Sequence, residues 1–240
     1  MFRSLAALLP PFLLLVPASA EEFAAPALVR SKARIEIRSS LAVPIRRMSF
    51  HDGERFGKGD LLVAYDCRTL AAERRAAAAS VAAETIDVAA KTRMLKHGAV
   101  GRGEVRRAKA LLRRASSQRE AIAARMRQCE VHAPFDGRVV RRSAGVGETP
   151  APGATVVTVV DDRRLDVEIV APSRWLAWIR AGARFDLTLE ETGTTLPGTV
   201  VTIGPEVDPV SRTVRIFGSI DPAPGLLPGM SGNATFETVR

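Results

Sequence analysis

Groups that do chemistry are scarce in this chain. It has three histidines, His51, His97 and His132, and two cysteines, and none stands at the spacing of a metal motif such as HExxH or CxxC. There is no Walker loop and no Gly-x-Ser-x-Gly elbow. Met48, Met94, Met126 and Met230 are scattered, so a methionine copper site has no support. No catalytic group, metal site or cofactor is nominated, and the expectation is a protein that is not an enzyme.

Long apolar runs are missing as well. The run from Leu5 to Val16 follows Arg3, is about 12 residues long against the roughly 20 needed to span a bilayer, and is interrupted by Pro10 and Pro11. Ala18, Ser19 and Ala20 then offer small residues for cleavage before Glu21, so residues 1–20 are expected to be a secretory signal peptide, with an uncleaved anchor as the competing reading. No cysteine follows the run to carry a lipid, and the mature chain is expected to be soluble and exported.

What the chain has in excess is positive charge, in one place. The net charge is +9, and residues 67–129 hold 15 Lys/Arg against 5 Asp/Glu. For an exported protein nucleic acid is a poor partner; a basic helical surface meets an acidic protein mouth, anionic headgroups or solvent.

The chain also repeats itself. "IRRMSFHDGERFGKGDLLV" from Ile45 overlies "VVRRSAGVGETPAPGATVV" from Val139 without a gap, at an offset of 94 residues. Gly53 and Gly59 fall on Gly147 and Gly153, glycines six apart that suit turns, and each pair is followed by an aliphatic run, Leu61 to Val63 or Thr155 to Val157. Each copy is a small β half-unit with too little apolar surface for a core of its own, so the two are expected to interlock into one sandwich. The second copy is introduced by "CEVHAPFDGRVVRR", residues 129–142, which reads strand, tight turn, strand, with Asp136 and Gly137 in the turn and Gly137 expected at positive φ.

Between the halves, residues 67–129 are rich in Ala and Arg, contain no Pro, and have glycine only at Gly98, Gly101 and Gly103. This predicts helix, turn, helix. The returning arm sets Val105, Ala108, Leu112, Ala115, Arg119, Ile122, Met126 and Cys129 at alternating steps of three and four, a heptad seam. The outgoing arm is read as Cys67, Leu70, Arg74, Ala78, Val81, Thr85, Val88, Thr92 and Leu95, with one extra step of four near its base. Arms of roughly 25 to 28 residues would project about 40 Å. Cys67 and Cys129 stand one at each root of this antiparallel pair, which in an oxidising compartment predicts a disulfide.

After Asp162 the pattern alternates. "LDVEIVAP", "RFDLTLEE", "GTVVTIGPEV" and "RTVRIFGSI" read as half-buried strands, and "PSRWLAWIRAG" as a short helix with Ser173 as N-cap and Gly182 as its stop. The spacing predicts a small antiparallel β-barrel over residues 163–240, plugged by that helix, with Trp175 and Trp178 as plug residues rather than a ligand platform. Residues 21–66 are assigned to an N-terminal segment and the first sandwich half, and residues 130–162 to the second half.

With "VHAPFDGRVV", "VDPVSRTVR" and "LLPGMSGNATF" in that order, the chain resembles the HlyD-like membrane fusion proteins, the periplasmic adaptor subunits of tripartite efflux systems. The resemblance implies an elongated α+β protein. Its parts are a lipoyl-like barrel-sandwich hybrid split by an antiparallel α-helical coiled-coil hairpin, then a small antiparallel β-barrel with one short helix. It further implies a hairpin tip (Met94, Leu95, Gly98, Val100, Gly101, Arg102, Glu104) that docks on an outer-membrane channel, a barrel that meets an inner-membrane transporter, and self-association into a ring. A resistance-nodulation-division transporter is favoured over an ABC exporter. At the tip Met94 stands where the family has Leu, and Gly101 where it has Ser; Val43 and Pro44 stand where members often carry a Gly turn. The end at Arg240 leaves little room for the membrane-proximal domain of longer members. A biotinyl or lipoyl carrier shares the sandwich, but it presents a Lys on the turn between the halves, where this chain has the hairpin starting "DCRTL".

Overall fold

The computed structural model describes residues 23–221 and 223–236. The signal peptide expected over residues 1–20 lies outside the described residues. The chain divides into two compact units, one of residues 31–165, the other of residues up to Arg30 together with those from Asp166 onward.

The unit of residues 31–165 holds two sheets. One has the order β2 (Arg34–Arg38), β8 (Thr155–Val160), β7 (Gly137–Arg142), β4 (Arg55–Phe56). The other has the order β3 (Ile45–Met48), β5 (Leu61–Tyr65), β6 (Glu130–His132). Each sheet takes strands from both repeat copies, and one core (Ile45, Phe56, Leu62 and Val63 with Val139, Val156, Val157 and Val159) is shared between them. Neither half could bury these side chains alone, which is why the interruption leaves one domain and not two.

The repeat extends to the backbone bonding. Gly53 N–H donates to Val139 O and Gly147 N–H to Ile45 O, both at 2.8 Å; Gly59 N–H donates to Ala133 O and Gly153 N–H to Ser39 O, at 2.8 and 2.7 Å. In each pair of bonds both donor and acceptor shift by the 94-residue offset, so the copies hold one another reciprocally. All four glycines lie at positive φ, between 83° and 89°, the region only glycine enters without strain.

Two expectations are corrected here. Residues 129–142 do not form a hairpin: β6 pairs with β5 and β7 with β4 and β8, so Ala133–Asp136 carries the chain from one sheet to the other. Gly137 is not among the positive-φ residues. Its requirement is space, since a Cβ there would stand 2.1 Å from the Val160 carbonyl oxygen and 3.2 Å from the Phe56 ring.

The second unit is a closed barrel of order β1 (Phe23–Ser31), β13 (Ser231–Phe236), β10 (Arg184–Leu189), β11 (Thr195–Asp208), β12 (Thr213–Ile220), β9 (Leu165–Pro172). Alternate residues point inward, for example Val167, Ile169 and Ala171 on β9, each 0% exposed. Residues 21–66 are expected to hold an N-terminal segment and the first sandwich half; β1, within that segment, pairs with β13 from Phe23↔Phe236 to Leu28↔Ser231 and completes the barrel, and only β2 goes to the sandwich. The expected short helix is a 3-10 turn, Ser173–Ala177, whose N-cap is Pro172, and Ser173 makes no capping bond. Trp175 is buried among Phe23, Trp178 and Phe236, at ring separations of 5.5 to 5.6 Å, as a plug residue. No helix among the described residues is long and apolar enough to cross a membrane.

Candidate functional site

Helix α1 (Arg68–Lys96) leaves the sandwich and α2 (Arg102–Met126) returns to it. Ion pairs between the helices fix their antiparallel sense: Glu73 reaches Arg125 at 3.7 Å near the root, and Lys91 Nζ donates to Glu104 Oε2 at 2.9 Å near the tip. That contact raises the Lys91 ammonium above its ordinary value, first through the hydrogen bond to Glu104 and then through its charge.

The buried stripe of α2 follows expectation in part: Val105 and Ala108 are buried, Leu112, Ala115, Ile122 and Met126 half-buried, but Arg119 is exposed. In α1 the phase differs. Leu70 and Ala77 are buried and Val81, Glu84, Val88 and Leu95 half-buried, whereas Arg74, Ala78 and Thr85 are exposed. The extra step of four is absent because Ala77, not Ala78, faces α2; a run of alanines offers no contrast by which sequence alone could choose between them.

At the root, Cys67 and Cys129 form a disulfide with their Cα atoms 6.1 Å apart. Cys129 and Leu70 belong to the sandwich core, and Cys67 and Met126 pack against it. Asp66 holds the start of α1, accepting the Arg68 backbone N–H at 3.2 Å and its guanidinium at 2.6 Å. The side-chain hydrogen bond from Arg68 keeps the Asp66 carboxyl below the usual carboxylate range.

At the tip the chain ends α1 with a six-residue closure. Gly98, at φ +71°, donates to Leu95 O at 3.1 Å, and Ala99 donates to Met94 O at 2.9 Å, a Schellman cap that fixes the turn by backbone bonds alone. Gly101 is the N-cap of α2, extended and without a side-chain cap. Met94 is 41% exposed, Arg102, Glu104, Gly98 and Gly101 are exposed, and Leu95 and Val100 half-buried. The seven tip residues therefore lie together around one turn, with Val105 and Ala108 buried beneath it.

Sequence reasoning missed a cluster of charges in the sandwich. Arg55 and Arg138 face each other directly across β4 and β7, an arrangement that would repel, and buried Asp162 reconciles them, accepting from Arg55 at 2.9 Å and Arg138 at 2.6 Å. Its neighbour Asp161 accepts from Arg164 Nε at 2.7 Å and from the backbone N–H groups of Arg163 and Arg164. Burial alone would raise the Asp161 carboxyl, but these bonds outweigh it and hold it below the usual range. The signal was present as "DDRR" between two strands, with no means of telling which arginines it would meet. In the barrel, buried Glu168 is likewise flanked by Arg30 at 2.6 Å and Arg215 at 3.5 Å. Among the described residues no three His, Cys, Asp or Glu side chains gather as a metal site would require.

Residues 166–240 match the family described as the CusB-like β-barrel domain. Nodulation protein NolF of Rhizobium meliloti is 29% identical over 211 residues, covering 82% of this chain and 58% of NolF. The chain spans just over half the length of the curated relatives it matches. A MacA-MexA chimeric protein containing the Pseudomonas aeruginosa MexA α-hairpin domain shares the fold at a TM-score of 0.77 and 17% identity, over 92% of this chain and 82% of that one. The membrane fusion protein Spr0693 of Streptococcus pneumoniae shares it at a TM-score of 0.75 and 16% identity, over 90% of this chain and 99% of that one.

Proposed function

We propose that the chain is a membrane fusion protein of the HlyD-like kind, a periplasmic adaptor joining an inner-membrane efflux transporter to an outer-membrane channel; the CusB-like barrel over residues 166–240, the relative NolF and the shared fold support the reading. In this reading its work is assembly and not catalysis, as in that family. The observation that carries the reading is the two-helix hairpin inserted between the sandwich halves, with a disulfide at its root and a turn closed by backbone bonds at its tip. A load applied at the tip passes down paired helices into a core that includes Cys129 and Leu70.

In this reading Met94, Leu95, Gly98, Val100, Gly101, Arg102 and Glu104 meet the channel. The two sheets act as a lipoyl-like sandwich, the helices as an antiparallel coiled coil, and the barrel as the face toward the transporter. Copies associate into a ring, and residues 1–20 serve as the cleavable export signal. The CusB-like barrel supports a resistance-nodulation-division transporter over an ABC exporter.

Affinity capture from solubilised membranes tests the proposal, with the co-purifying proteins identified. A transporter and a channel are expected with the wild type. A variant with Met94, Leu95, Val100 and Arg102 replaced by Ser should keep the transporter, lose the channel and melt as the wild type does. Undiminished recovery of the channel would count against the tip.

A further inference from the structure

The barrel carries a cavity of about 830 Å³, a volume in the range of small-molecule sites. Its wall is laid out by strand register. On β10 exposed Arg184 and Asp186 alternate with buried Phe185 and Leu187, so both stand on the outward face, about 7 Å apart along the strand. Arg184 lies opposite Thr199 and Asp186 opposite Pro197 on β11, and because Gly198 faces Ile220 on β12, Asp221 comes level with Pro197. Asp186 and Asp221 thus flank Pro197 across two strand spacings, about 10 Å. A second cation joins the Arg184 end. Arg180 leads into β10 there, and its guanidinium is fixed by backbone carbonyls, Nη1 donating to Leu176 O and Ile179 O at 2.8 Å and Nη2 to Ala177 O at 3.3 Å. Among the described residues neither arginine pairs with either aspartate, although all four line the same cavity.

We propose that this cavity binds a short zwitterionic peptide of about two residues with an aromatic side chain, its carboxylate at Arg180 and Arg184, its ammonium at Asp186 and Asp221, and its ring against Trp178. Charge complementarity selects this class. Each end of the cavity holds charge of one sign that the other end does not neutralise, so a ligand with a single charge satisfies one end and leaves the other unmatched. A metal ion does not answer to the arrangement, since carboxylates about 10 Å apart cannot share one cation. Length points the same way. Two residues of extended chain span about 7 Å, the step between the cationic and the acidic row. Arginine, with its planar fork, pairs a carboxylate bidentately, and Arg180 is already held in place for that contact. Trp175 is 3% exposed and spent as a plug, whereas Trp178 is half-buried and lines the cavity, where its indole offers a ring surface for an aromatic side chain.

The site is built wholly from barrel residues and does not depend on the adaptor reading. The test is calorimetric titration of the full oxidised chain with alanyl-phenylalanine, with its N-acetyl form, which keeps only the carboxylate, and with its C-terminal amide, which keeps only the ammonium. The zwitterion should bind saturably with a dissociation constant of about 1 mM or below, and each blocked form about tenfold more weakly. The variants should then divide by ligand. Arg184→Gln should weaken the zwitterion and the N-acetyl form about tenfold and leave the amide unchanged, while Asp186→Asn with Asp221→Asn should weaken the zwitterion and the amide and leave the N-acetyl form unchanged. A merely structural role for these side chains would weaken all three ligands together. The comparison of the three ligands on the wild type needs no variant, so it stands even where a substitution disturbs the barrel. Equal binding of the three forms, losses that do not divide in this way, or no saturable heat up to about 10 mM of the zwitterion would each overturn the proposal.

Discussion

Gly53 donates its amide hydrogen to the carbonyl of Val139 at 2.8 Å, and the same bond, displaced by one repeat, runs from Gly147 to Ile45 at 2.8 Å. Each copy thus uses its glycine turn to grip the first strand of the other. Both glycines lie at positive φ, 83° and 89°, and a Cβ on either would meet nothing within 4 Å. Replacement by Ala therefore tests backbone conformation alone. Gly53→Ala and Gly147→Ala should each cost about 1 to 2 kcal/mol in urea unfolding, and the two losses should match. A large inequality would show that the copies are equivalent in bonding but not in energy.

Gly137 is constrained differently. With the Val160 carbonyl oxygen 2.1 Å from the place of its absent Cβ, a methyl group there pushes directly on the ladder between β7 and β8. Gly137→Ala should cost at least about 2 kcal/mol. Gly103→Ala, on α2 with only Arg106 Nη2 at 4.0 Å, should instead stabilise by up to about 1 kcal/mol. Thermal melts of the two variants should move in opposite directions; a neutral Gly137→Ala would refute the close approach.

The root disulfide closes a loop with a sequence separation of 62. In the chain-entropy account that contributes about 4 kcal/mol. Replacing both cysteines by Ser should lower the unfolding free energy by that order, and hydrogen exchange should rise first at the root ends of α1 and α2. Unchanged exchange there would mean that the core around Leu70 and Met126 holds the root without the bond.

Asp161 sets an acid limit. Its folded-state carboxyl lies below its unfolded value of about 3.9, so its contribution is complete above the unfolded value and is lost as pH falls through the folded one. Asp161→Asn should cost about 2 kcal/mol at neutral pH, where the wild-type group is ionised and bonded to Arg164. The difference between the two proteins should shrink as the medium is acidified past the carboxylate range. Parallel melting curves at every pH would contradict this.

Much of the fold was legible because its signals are local. Glycines six apart marked the turns of both sandwich copies, and three-four spacing marked the two helices and most of the α2 stripe. What escaped required long-range choice. The phase of α1 turns on Ala77 against Ala78, two identical side chains that only the packed partner distinguishes. Residues 129–142 alternate as a hairpin would, yet their two strands are claimed by different sheets, because β5 and β8 offer each a better neighbour. β1 reads no differently from β2 in sequence, and its place in the barrel follows from the free edge of β13. Asp162 was invisible as a clamp because the arginines it joins are 107 and 24 residues away. At the candidate tip the residues were legible and their backbone closure was not: Gly98 could be read as a turn residue, but not as the donor that ties the end of α1.

The chain departs from the sandwich at Cys67 and rejoins it at Cys129 across 6.1 Å between Cα atoms. Seen from the two sheets, everything between is a detour whose entrance and exit share one doorway. The doorway is indifferent to the length of what passes through it. Arms could be lengthened or shortened by whole heptads between Asp66 and Glu130 while both sheets keep their register, so reach and foundation are set by separate stretches of the chain.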